Sequence, residues 1–151
     1  MTGDHGLEEL PHWDAGTVAI LSTGAGAPHA IPVSTAMRAG PRRVLIALAL
    51  RRESLARLRE EPRCALTLIA AGDVACTALA HATIVREPMT VSDRVAAVAL
   101  DVDAIQDHRQ PRFTIDAGVA WHWTDDEARD RDADIRAELA ELGKWPGAID
   151  P

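Results

Sequence analysis

The apolar run Val44–Leu50 (VLIALAL) is bracketed by Arg42–Arg43 and Arg51–Arg52. A run this short reads as a strand buried on both faces, although its Ala and Leu content is also compatible with helix. The residues after it, Arg51 to Ser54, open a short helix whose Leu55 and Leu58 share one face, and Pro62 closes it. Upstream, Thr17–Leu21 (TVAIL) is strand-like by its β-branched content. Ser22–Pro28 is a glycine-bearing turn, and His29–Met37 returns as a second strand. Pro32 within it has no N–H for a ladder and marks an edge, a bulge or a ligand-facing stretch. Arg38–Arg42 turns the chain into Val44–Leu50, so these three strands read as an antiparallel meander.

Downstream, Cys64–Ile69 and Val74–Val85 are strands joined by the tight turn Ala70–Asp73. Thr90 to Asp93 has capping form and predicts a helix over Val91–Leu100, with Val95 and Val98 three apart. Asp101–Arg112 reads as a polar connection, and Phe113–Trp123 as a strand with Gly118 as a bulge. Thr124–Glu127 forms a second capping box. Ile135, Leu139 and Leu142 then make an apolar stripe along a C-terminal helix over 124–142 that Gly143 ends. Thr2–Asp14, with Leu7 and Leu10 three apart, predicts a short N-terminal helix or arm over 1–14. Lys144–Pro151 is a tail whose large apolar group is Trp145. About six strands without βαβ alternation argue against a doubly wound parallel sheet. They predict one domain over 1–151: mainly β (α+β), a small antiparallel barrel with peripheral helices.

Length agrees with one domain, since 151 residues bury a core without metal or disulfide staples. Hydrophobic residues make up 47% and aromatics only 3%, so Ala, Val, Leu and Ile fill that core. Cys64 and Cys76 fit neither a CxxC pair nor a zinc site and read as buried thiols. No signal peptide and no apolar run long enough to span a membrane is present, which leaves the cytoplasm as the expected location.

Charge adds a candidate site. The chain carries −7, yet Arg38 to Arg63 holds eight arginines against Glu53, Glu60 and Glu61. A basic patch on an acidic protein suits a small anionic ligand better than nucleic acid. The free N–H groups at the start of the Arg51–Ser54 helix, with arginines beside them, form a phosphate seat in outline. The six histidines show no metal-ligand spacing, and no Ser/His/Asp arrangement or dinucleotide fingerprint stands out. Trp121 and Trp123 share a strand face that packs a core or subunit contact, or stacks on a ligand.

In order and content these elements resemble the pyridoxamine 5′-phosphate oxidase-like flavin-binding split barrels, including their deazaflavin-using branch. The resemblance runs over roughly Thr17 to Leu142. It rests on TVAILSTGAGAPHAIPV, LALRRESLARLREEPRCALTLIAAGD, VACTALAHATIV and FTIDAGVAWHWTDDEARDRD. It implies a six-stranded antiparallel split β-barrel that forms a homodimer with cofactor at the interface. The cofactor is FMN or a deazaflavin coenzyme, and hydride transfer acts on a small-molecule substrate, with no nucleic acid or membrane involved. The implied phosphate site is Arg51, Arg52, Ser54 and Arg57. The implied ring site follows Ile31, Pro32, Val33, Ser34 and Thr35, and the partner subunit is expected to contribute Trp121, Trp123 and Trp145. Many members carry Lys where this chain has Ser54, Asn where it has Arg57 and an aromatic where it has Ser34. FMN and deazaflavin both stay open. So do a non-catalytic flavin- or haem-binding carrier and a dimer that has lost its ligand.

Overall fold

A computed structural model of the chain describes residues 6–144. Its strands are β1 (Gly6–Leu7), β2 (Ala19–Thr23), β3 (His29–Val33), β4 (Met37–Gly40), β5 (Arg43–Ala49), β6 (Arg63–Ala70), β7 (Val74–Arg86) and β8 (Val95–Asp107). Its helices are α1 (Glu53–Glu60) and α2 (Asp126–Gly143). The strand order is β3-β2-β6-β7-β8-β5-β4, every pairing is antiparallel, and β1 adds to β8.

β3 and β4 lie at opposite ends of this order yet are consecutive in sequence, with only Ser34–Ala36 between them. One bent stretch of chain therefore joins the two edges and closes the barrel. At the bend the side chain of Thr35 stands in for the ladder. Its hydroxyl accepts from the Ala47 N–H at 3.0 Å and donates to the Ala47 carbonyl at 3.4 Å. With β3 and β4 counted as one bent strand and the two-residue β1 set aside, the barrel has the six expected staves. The expected meander runs through the same bend: β2 pairs with β3, and β5 pairs with β4 and, on its other side, with β8.

Alternate residues of β2, β5, β6 and β8 fill the interior, among them Leu21, Val44, Ile46, Leu66, Leu68, Val98 and Leu100. A second core lies outside the barrel wall, where Leu139 of α2 packs on Leu45, Ala97, Ala99 and Met89. β5 is buried on both faces for this reason, as its unbroken apolar run predicts.

The expected helix over Val91–Leu100 is corrected to a turn and then strand from Val95, and the first part of the expected connection, Asp101–Asp107, to that strand's continuation, while His108–Arg112 remains a connection. Val95–Leu100 is also covered on both faces, so it lacks the alternation of a half-buried strand. Its alanines let α2 approach closely and give the run a helical look. Phe113–Trp123 forms neither helix nor ladder. Instead it is a strap tied to the β6–β7 turn. Asp73 N–H donates to the Ile115 carbonyl at 3.0 Å, and Ile115 N–H donates to the Asp73 carboxylate at 2.9 Å. The N-terminal helix is likewise corrected over the described residues. Gly6–Leu7 pairs with Gln106 and Ile105, and Leu10 N–H donates to the Pro41 carbonyl. The C-terminal helix forms as expected, with Asp125 rather than Thr124 at its N-cap. Trp145 lies outside the described residues.

Candidate functional site

The end of β5, the turn before β8 and the exposed side of α2 enclose an open cleft of 1040 Å³. Its walls are apolar, from Ala49, Leu50, Val95 and Ile135. Its charged lining is Arg51, Arg94 and Arg131 against the single acid Asp93. Ser92 and Thr90 add hydroxyls. The turn is held to α2 by Glu138, a buried carboxylate that accepts from the Thr90 and Val91 N–H groups, both at 2.9 Å. Arg86 Nη1 donates to the same carboxylate at 2.9 Å.

Most of the arginine cluster is spent on structure. Arg38 reaches Glu9 and the Leu10 carbonyl, and Arg42 reaches the carbonyls of Glu8, Val102 and Asp103. Arg43 faces Asp101 at 3.7 Å, Arg59 pairs with Glu87, and Arg63 pairs with Glu61. Arg57 donates from Nε to Glu53 at 2.8 Å and from Nη1 to the carbonyls of Ala25 and Ala27. It thereby ties α1 to the β2–β3 turn and, with His29, holds the Glu53 carboxyl below its ordinary range. Ser54 is fully buried, its hydroxyl 3.1 Å from His29 Nε2. Arg51 and Arg52 are exposed. Arg51 lines the cleft, and Arg52 is the N-cap of α1 without a side-chain cap bond.

The expected ring site divides. Ile31 and Val33 point into the core. Pro32 faces outward on the edge strand, opposite Ile20. Ser34 and Thr35 sit at the bend, where the Ser34 carbonyl accepts from Arg136 Nη2 at 2.8 Å. Arg136 directly follows the cleft residue Ile135 on α2 and lies five residues beyond the cleft residue Arg131. Arg51, Ser34 and Thr35 therefore lie toward the α2 side of the barrel, while Pro32 does not.

No family model matches the sequence, and no curated protein matches it significantly. Solved structures do match. One is a provisionally named pyridoxamine 5′-phosphate oxidase from Listeria innocua, 10% identical, with TM-score 0.53 over 62% of this chain and 90% of that one. A second of the same provisional name, from Lactobacillus delbrueckii, is 15% identical, with TM-score 0.51 over 60% of this chain and 83% of that one. A third is a haem-binding protein from Mycobacterium smegmatis, 14% identical, with TM-score 0.50 over 60% of this chain and 48% of that one. The fold is the pyridoxamine 5′-phosphate oxidase-like split barrel. At these identities the likeness is one of fold.

On this split barrel Trp121 and Trp123 stand apart from the cleft, on the strap. Their rings meet edge to face, with centroids 5.2 Å apart, and Trp121 Nε1 donates to the Gly16 carbonyl at 2.8 Å. Both are more than a third exposed. Burial, with Asp103 adding to it, pushes the Cys64 thiol up to about 12. Burial, with Asp107 nearby, pushes Cys76 up to about 11, so neither is a thiolate nucleophile at neutral pH. Among the described residues no cluster of His, Cys, Asp and Glu is arranged to hold a metal ion. None of the described helices is long and apolar enough to cross a membrane.

Arg94 and Arg131 escape sequence reasoning. One lies in a turn misread as helix, and the other lies among acids on a solvated helix face. No local pattern announces that the two share a cleft with Arg51.

Proposed function

We propose that the chain is a homodimeric, FMN- or deazaflavin-dependent oxidoreductase acting on a small molecule. The observation that carries this reading is the arginine-rimmed, apolar-walled cleft at the β5–α1 junction of a split barrel. The residues fit a group with a phosphate at one end and a hydrophobic body. Guanidinium groups bind phosphate by charge-assisted hydrogen bonds, and Leu50, Val95 and Ile135 offer apolar surface beside them. When bound, the cofactor supplies the hydride chemistry. The chain's own residues hold it and orient it.

The second subunit in this reading covers the outer face of β3, β2, β6 and β7. There Pro32, Ile20, Thr67 and Thr77 align across the sheet, flanked by Ile69 and Leu79, with no charged residue among them. Ile20, Ile69 and Leu79 are 38%, 50% and 37% exposed. Two free cysteines suit a reducing compartment, which supports placing the protein in the cytoplasm.

A second reading, a carrier that binds flavin or haem without turnover, is favoured by the haem-binding name of the Mycobacterium smegmatis structure. Purification from a host that makes all three chromophores separates these readings, because flavin, deazaflavin and haem have distinct visible spectra. A bound flavin or deazaflavin that is reduced by a nicotinamide donor supports the oxidoreductase. A bound chromophore that no donor reduces supports the carrier. A colourless protein that binds none of the three on titration removes both.

A further inference from the structure

The resemblance places a phosphate on Arg51, Arg52, Ser54 and Arg57, but the fold has already committed two of these. Ser54 is fully buried against His29. Arg57 is occupied by Glu53 and by two carbonyls of the β2–β3 turn. Neither can turn to a ligand without breaking the tie between α1 and β3.

Arg51 is different. Its side chain makes no hydrogen bond or ion pair with any described residue, and neither does that of Arg94. Arg131 has only a loose pair, 3.7 Å from Glu127. The fold brings these three side chains, from the β5–α1 turn, the turn before β8 and α2, to one cleft. The molecule as a whole is acidic at −7, so its distant charges repel an anion and attraction has to be local. Three arginines against Asp93 supply it. The seat is also fixed in place. Glu138, only 7% exposed, bonds the turn carrying Arg94 to the helix carrying Arg131, so their spacing does not depend on a ligand.

We infer that the anion seat of this chain is the triad Arg51, Arg94 and Arg131, and that it takes the terminal phosphate of a ligand whose apolar body lies on Leu50, Val95 and Ile135. This deepens the cofactor-binding reading and rests on it for the identity of the ligand. The seat itself rests on the cleft.

The test uses two probes on the full chain: inorganic pyrophosphate by calorimetry, and FMN against riboflavin by fluorescence quenching. Wild type is compared with Arg94→Ala and Arg131→Ala, both exposed positions, with circular dichroism to verify folding. Each substitution is expected to weaken pyrophosphate and FMN about tenfold or more, and riboflavin hardly at all. Arg94→Lys, which keeps charge but loses the planar fork, is expected to recover part of the loss. If pyrophosphate does not bind, or binds equally to wild type and both alanine variants, the triad is overturned. If pyrophosphate binding depends on the triad while neither flavin binds, the triad stands and the flavin reading fails. If FMN binds with an affinity independent of Arg94 and Arg131, the flavin reading stands and the triad falls.

Discussion

Glu138 shows what a single residue can hold together. Burial opposes its charge, but the N–H groups of Thr90 and Val91, and then Arg86, outweigh that penalty and hold its carboxyl below the ordinary 4.5. A carboxyl with a lowered folded value contributes stability that is fully present above about pH 4.5 and is lost as pH falls through the lowered value. Glu138→Gln is therefore expected to flatten the acid limb of the stability curve, and pH-dependent thermal melts would show it. Glu138→Ala leaves three donors without an acceptor and is expected to cost about 2 kcal/mol at neutral pH. An alanine variant as stable as wild type across the whole pH range would rule out this role. Neither Glu138 nor Ser54 reveals such a role in sequence. The partners of Glu138 lie 47 to 52 residues away, and the His29 partner of Ser54 lies 25 away. A capping glutamate, a solvated glutamate and a buried one look alike along a helix.

At the scale of elements, what could be read depended on how each one is covered. β6 alternates buried Leu66, Leu68 and Ala70 with more exposed neighbours, and its strand is plain in the sequence. β8 has no such alternation, because α2 covers its outer side at Ala97 and Ala99, and periodicity fails there. Leu139 is the hydrophobic contact that fastens α2 to this wall. Leu139→Ala is expected to destabilise the protein by about 3 kcal/mol, measured by denaturant titration. A change within a few tenths of a kcal/mol would mean that α2 is not integral to the fold. The strap departs from its expected strand for another reason. Its aromatic and β-branched residues suit a strand, but it is fixed by tethers and by close approach to β6. A Cβ placed on Gly118 would lie 2.6 Å from the Ile69 carbonyl oxygen. Gly118→Ala is expected to lift the strap, and faster amide exchange over 113–121 with altered tryptophan emission would register it. Unchanged exchange would show that the strap absorbs the methyl.

The fold class of the whole molecule is legible because short strands, tight turns and the missing βαβ rhythm leave few architectures. The closure is not legible, since nothing along Ser34–Ala36 says that one strand serves both edges. The proposed dimer rests on the outside of the sheet. A twisted antiparallel sheet exposed on one side is expected to carry polar residues there, yet Ile20, Pro32, Ile69 and Leu79 occupy that face. Burying it against a second copy would remove this apolar surface from water and leave the charged edges, Arg63 and the His81–Asp103 pair, at the rim. Ile69→Asp puts a charge on that face without touching the barrel core, because Ile69 is half exposed. The folded monomer should therefore tolerate it. The expected outcome in sedimentation equilibrium is a wild-type dimer and an Ile69→Asp monomer of unchanged secondary structure. If the dimer interface also completes the cofactor site, the variant should bind FMN more weakly although Ile69 is not one of the cleft residues. A monomeric wild type would end the dimer proposal. A variant that stays dimeric would move the interface to another surface.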